Sequence, residues 1–147
     1  RRSYGRCVDQ AIAVMRELFS GMFETSPDIT FVHSMLGGGI FTYINMLQPK
    51  KTDDDVIKRF DAADARISRW LKENLYFEMS HAQPWGNVML EAAIKILGAD
   101  HIVYGSSYPV KREWFTEGAD FIKSLNIDER DRQLILCEND KRIYKIE

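Results

Sequence analysis

Three short apolar runs set the limits on this chain: "ITFVH" ending at His33, "LYFEMS" ending at Ser80, and "HIVYGSS" ending at Ser107. Each is rich in β-favouring residues. The stretches between them are long enough to hold a helical crossover, and no hairpin signal joins one run to the next. Strands linked that way run parallel, and short strands without clean alternation fit burial on both faces. The fold class read from the sequence is therefore α/β around a parallel sheet.

The helical segments fill in the rest. In "CVDQAIAVMRELFSGMFETSP", Val8, Ile12, Met15, Phe19 and Met22 recur at spacings of three and four, which predicts one amphipathic helix stopped by Ser26 and Pro27. "FTYINML" predicts a short helix before Pro49. Thr52 with Asp55 reads as a helix start, and Val56, Phe60, Ala63, Ile67 and Trp70 form one face as far as Lys72. "GNVMLEAAIKILG" predicts a helix with Val88, Ala92 and Ile96 inward and Gly98 as its stop. A helix is expected around Trp114 to Leu125. Asp128 and Asp131 open a last one, and a further turn or helix spans Lys141 to Ile146. "ENLYFEM" resembles a protease-cleavage tag, but it has Glu78 where such a site needs Gln and is read as native strand. Residues 1–147 read as a single domain.

Bulk properties narrow the function. A net charge of −2 argues against a strongly electrostatic partner such as nucleic acid or a membrane surface. No apolar run approaches the roughly 20 residues that span a bilayer. Cys7 and Cys137 lie far apart, without zinc-type spacing, so a reduced, cytoplasmic setting is expected. The opening "RRSYGR" lacks an initiator Met and reads as the middle of something longer.

In parallel α/β structures chemistry collects at the strand C-termini, since all of them point the same way. The three runs end at His33, at Ser80 with His81, and at Ser106 with Ser107. Two of the three histidines thus fall at the functional rim, and His101 falls at the opposite end. "LGGG" lacks the Walker lysine and the dinucleotide fingerprint, so a tight strand-to-helix turn is the expected role. "KKTDDD" is a helix start with a solvated charge run.

Three motifs in order, "FVHSMLGGG", "ILGADHIVYGSSYP" and "LILCENDKRIYKI", resemble the C-terminal half of the amidohydrolase-related family, which includes aminocarboxymuconate semialdehyde decarboxylase. The resemblance implies strands six to eight of a (β/α)8 TIM barrel, with their helices. It implies a metal-dependent hydrolase or decarboxylase acting on a small, carboxylated substrate. His33 falls on the family's catalytic histidine, which helps activate the metal-bound water. Gly105, Ser106, Tyr108 and Pro109 match the motif after strand eight, and Asn139 matches an Asn near the chain's end. Ser107 stands where the family has its metal-binding aspartate. His81, Ser107 and Tyr108 are the expected substrate contacts, His81 from its strand-end position alone. The cofactor implied is a divalent metal, zinc by expectation, although a neutral hydroxyl is a poor ligand for it and no metal ligand is assigned in this chain.

A full barrel takes about 250 residues, and three strands leave unpaired edges and an uncovered apolar face. The chain is therefore expected to be a piece of a longer protein, to pair with a missing N-terminal half, or to form a homo-oligomer. The alternative function is a metal-free family member, or a half-barrel serving ligand binding or assembly.

Overall fold

The computed structural model describes residues 2–47 and 65–146. Its centre is a three-stranded parallel sheet in the order β1 (Phe31–His33), β2 (Leu75–Glu78) and β3 (Ile102–Val103). The register pairs His33 with Phe77 and Phe77 with Ile102, so these side chains share one face. Leu75, Phe77 and Ile102 are fully buried there. Tyr76 and Glu78 project from the other face, where the Arg142 guanidinium lies 5.7 Å from the Tyr76 ring centre. All three strand C-termini end at the same edge, as expected of a parallel sheet. His101 lies buried at the opposite end, its Nδ1 3.0 Å from the Leu75 carbonyl.

The first helix, α1 (Arg2–Phe19), ends sooner than the apolar spacing suggests. Gly21 turns left-handed at φ 75°, and a short α2 (Met22–Thr25) follows. The inward face of α1 also differs from the sequence reading. Val14 and Leu18 are buried, whereas Val8 and Ile12 are 40% and 44% exposed and Phe19 is exposed as well. The reason lies in the glycine turn after β1. Residues Met35 to Gly39 all take positive φ, which makes a left-handed turn. A Cβ on Gly38 would sit 1.8 Å from the Cys7 carbonyl oxygen and 2.9 Å from the Ala11 nitrogen. The helix backbone rests directly on Gly38, and the stripe Cys7, Ala11, Val14 and Leu18 follows it inward. The bulkier stripe faces outward and lines an open groove of about 620 Å³ with Ile40 and Tyr43.

"FTYINML" forms a 3₁₀ turn (Ile40–Tyr43) and α3 (Ile44–Leu47). The helix start at Thr52 and Asp55, and the face positions Val56, Phe60 and Ala63, lie outside the described residues. The rest of that helix is α4 (Ala65–Glu73), with Ile67 and Trp70 buried as expected. In α5 (Asn87–Leu97) the inward residues are Leu90, Ala93 and Ile94, while Val88 is 78% exposed and Ile96 is also exposed. This helix is apolar nearly all round, so spacing alone cannot select its buried face. Gly98 ends it, at φ 92°.

The single helix expected after β3 is two, α6 (Arg112–Thr116) and α7 (Gly118–Ser124). The last stretch is one run of α8 (Glu129–Gln133), a π-helical segment (Leu134–Glu138) and α9 (Asn139–Tyr144). The Ile135 carbonyl of the π segment accepts the Tyr104 N–H at 2.9 Å, which continues the hydrogen bonding of β3 where strand pairing stops. Buried Asn139 donates from Nδ2 to the carbonyls of Ala99 and Ile102, at 2.8 and 2.7 Å. No described helix is long and apolar enough to cross a membrane.

Candidate active site

The ends of β2 and β3 bring together two of the residues singled out in the sequence. His81 follows β2, Ser107 follows β3, and the Ser107 Oγ lies 2.9 Å from His81 Nδ1. Both residues hold left-handed backbone, φ 59° and 54°. For a residue with a Cβ that conformation costs about 1–2 kcal/mol, so the surrounding turns must hold it. They do so on the serine side: the Ser107 carbonyl accepts the Val110 N–H at 2.9 Å, and Ser106 Oγ accepts the Tyr108 N–H at 3.2 Å.

The imidazole of His81 is fixed from the side by Trp114, which meets it edge-on with ring centres 5.0 Å apart. Lys111 Nζ lies 5.2 Å from the centre of that indole. Burial, and then the Arg6 guanidinium, pull the His81 pKa below its ordinary value. The ring is therefore neutral near pH 7, and the cations around it suit a negatively charged ligand.

Glu78, which the sequence reading did not assign, closes the floor. It is the last residue of β2, and its carboxylate lies across the end of β3 in the space that Gly105 leaves empty. A Cβ on Gly105 would fall 1.2 Å from Glu78 Oε1. The same oxygen accepts the Ser80 N–H at 2.9 Å. Burial raises the Glu78 pKa, the bonds from Ser80 oppose that, and the Asp140 carboxylate adds to the rise. Burial raises Asp140 too. The one signal in the sequence was a charged residue inside an otherwise apolar strand. Beside Glu78, Gln83 Nε2 donates to the Tyr104 hydroxyl at 3.0 Å, and that hydroxyl donates to the Trp114 carbonyl.

His33 is placed differently. It is buried, at 6% exposed, with Nε2 2.7 Å from Glu17 Oε2 and Nδ1 3.4 Å from Gln10 Oε1. Its ring is set against those of Phe31 and Phe77. Both polar partners come from α1, and neither was legible as a site residue. Tyr108 stands 65% exposed beyond the pair, its ring tilted against Phe115 at 5.4 Å.

The side chains do not by themselves fit a resident divalent metal. Among the described residues no three His, Cys, Asp or Glu side chains come close enough to hold one. Ser107 offers only a neutral hydroxyl, and it is hydrogen-bonded to His81.

No family model and no curated protein sequence matches the chain. Solved structures do. A dihydroxybenzoic acid decarboxylase from a Polaromonas species, solved with bound manganese and the inhibitor 2-nitroresorcinol, aligns over 92% of this chain and 40% of its own, at TM-score 0.74 and 23% identity. The 2,6-dihydroxybenzoate decarboxylase from Rhizobium aligns over 92% and 41%, at TM-score 0.74 and 23% identity. The 5-carboxyvanillate decarboxylase from Sphingomonas paucimobilis gives 92%, 39%, TM-score 0.71 and 22% identity. The chain thus spans about 40% of the length of these neighbours, and at such identities the likeness is one of fold.

Proposed function

We propose, for a chain with the fold of the C-terminal half of the amidohydrolase-superfamily decarboxylases, that it supplies strands six to eight of a barrel acting on a small carboxylated substrate. Decarboxylation of a hydroxylated aromatic acid is the favoured reaction, with hydrolysis the other reaction of that superfamily. The observation that carries the reading is the His81–Ser107 pair at the C-terminal ends of adjacent strands. The fold neighbours are named as decarboxylases of such acids.

In this reading the Ser107 hydroxyl and His81 hold the substrate carboxylate, with the charge of Arg6 nearby and Tyr108 at the mouth. His33 is the proton-transfer group. Glu17 orients its Nε2, and Nδ1, held only by the longer bond to Gln10, is the nitrogen that exchanges the proton. The manganese of the Polaromonas enzyme belongs to that protein. A divalent metal here, zinc or manganese, would need ligands from outside the described residues. Further (β/α) units of the same barrel are the proposed cover for the apolar groove on α1.

The experiment is a binding and turnover comparison. 2,6-Dihydroxybenzoate should bind the full chain at least about ten-fold tighter than resorcinol, which lacks the carboxylate, and Ser107→Ala should remove the difference. Equal binding of the two would refute the carboxylate site. In whichever form of the protein turns the acid over, His33→Ala should lower kcat by about 10²-fold. An unchanged kcat would remove the proton-transfer role. The metal-free ligand-binding reading is favoured by Ser107 itself, and it predicts the same binding preference with no carbon dioxide released.

A further inference from the structure

We infer that Ser107 is also a nucleophile and His81 its general base, a dyad able to take the acyl group of a small ester. This goes beyond the carboxylate-holding role proposed above and stands on the pair's own geometry. A serine hydroxyl is inert at neutral pH unless a base lies within hydrogen-bond reach, and the partner must be oriented by a third group. Here the base is at 2.9 Å, and the edge of Trp114 against the imidazole supplies the orientation.

The backbone points the same way. Among the described residues five non-glycines take positive φ, and two of them are these facing residues. A serine held left-handed on the turn leaving a parallel strand presents its Oγ outward, clear of its own strand. The bonds from Val110 and Tyr108 noted above lock that turn. Burial of His81 and the charge of Arg6 keep the ring neutral, so Nδ1 is available as an acceptor when the ring proton is on Nε2.

The step balances without any redox partner. The Ser107 proton passes to His81 Nδ1 as Oγ bonds to the ester carbonyl carbon. The ester C–O bond then breaks, and the leaving alkoxide takes the proton from Nδ1. Water, deprotonated by the same nitrogen, releases the acid and restores Ser107. The net reaction is ester plus water to acid plus alcohol. The Arg6 charge favours esters that carry a neighbouring carboxylate.

Diisopropyl fluorophosphate tests the dyad on the full chain, since its attack forms an Oγ–phosphorus bond, expels fluoride and passes the serine proton to His81. Peptide mapping of the unmodified sequence should place one adduct on Ser107. The labelling rate should rise to a plateau with a midpoint below 6.5, the ordinary histidine value. His81→Gln should slow labelling by about 10²-fold. No adduct on Ser107, or one spread equally over Ser34, Ser80 and Ser106, would overturn the inference, and so would a rate indifferent to His81→Gln in folded protein. The wild-type peptide map needs no variant to fold. Labelling at Ser107 without a preference for the carboxylated acid would keep the dyad and remove the carboxylate site. The reverse pattern would do the opposite.

Discussion

Replacing Gly38 by alanine should unseat α1. Three backbone atoms of that helix surround the place a Cβ would occupy, at 1.8, 2.7 and 2.9 Å. Ordinary contact begins near 3.4 Å, so α1 would have to retreat by about 1.6 Å from the Cys7 carbonyl, the difference between 3.4 and 1.8 Å. Backbone atoms cannot swing aside as a side-chain tip can. The positive φ at Gly38 adds about 1–2 kcal/mol for any residue with a Cβ. Forcing the helix outward loosens Val14 and Leu18 and costs about 1–3 kcal/mol more, the usual range for overpacking. A loss of about 2–5 kcal/mol is expected, a large part of the roughly 5–15 kcal/mol that holds a domain folded. At about 2–4 °C per kcal/mol, Tm should fall by about 10 °C. Gly5 is the internal control. It lies in the same helix with nothing within 4 Å of its missing Cβ. Gly5→Ala should therefore stabilise by about 0.5–1 kcal/mol. Urea titrations followed by circular dichroism compare the two. A Gly38→Ala protein within about 1 kcal/mol of wild type, below the usual overpacking range, would refute the close seating of α1 on the glycine turn.

Asn139→Ala should cost about 2–3 kcal/mol in urea unfolding, because it strips the buried carbonyls of Ala99 and Ile102 of a shared donor; a loss no larger than that of a surface substitution would contradict this. The raised Glu78 pKa has a definite sign: the folded state holds the proton more tightly than the unfolded chain, so stability falls as pH rises from the ordinary 4.5 through the raised value. Glu78→Gln should therefore gain stability relative to wild type as pH increases, and a difference that stays constant with pH would show that Glu78 is not desolvated. Ser107→Asp should raise the His81 pKa from its lowered value by placing a carboxylate on Nδ1, read by NMR titration of the ring; an unmoved titration would mean that the two side chains do not meet.

The sheet was legible because its determinants are local. Each strand is a short apolar run, and the spacing between runs forces a crossover, so parallel order and a common C-terminal edge follow. His33, His81 and Ser107 were placed on that edge for the same reason. What was not legible depends on contacts distant in sequence. Helix α1 carries two apolar stripes, and its own periodicity favours the bulkier one with Val8, Ile12 and Phe19. The choice is made by Gly38, which admits only a close backbone approach and so selects Cys7 and Ala11 instead. In α5 the apolar residues surround the helix, and the buried side is set by its neighbours. β3 is shorter than its apolar run because the Tyr104 N–H bonds to the Ile135 carbonyl of the last helix.

The site shows the same division between local and distant. That a strand ends on Gly105, Ser106 and Ser107 is visible in the sequence; what the glycine is for is not. Gly105 leaves room for the Glu78 carboxylate from the neighbouring strand, a packing event between residues 27 positions apart. The same adjacency of β2 and β3 sets His81 against Ser107, so the hydroxyl is better understood through its neighbour than by itself. An aspartate at 107 would favour the protonated ring, in which Nδ1 is a donor and not an acceptor. A serine leaves the ring neutral and its nitrogen open. The side chain at 107 therefore decides which group at the strand ends can accept a proton. A carboxylate there would itself be an acceptor; with serine, the group that the hydroxyl faces is the imidazole Nδ1, at 2.9 Å.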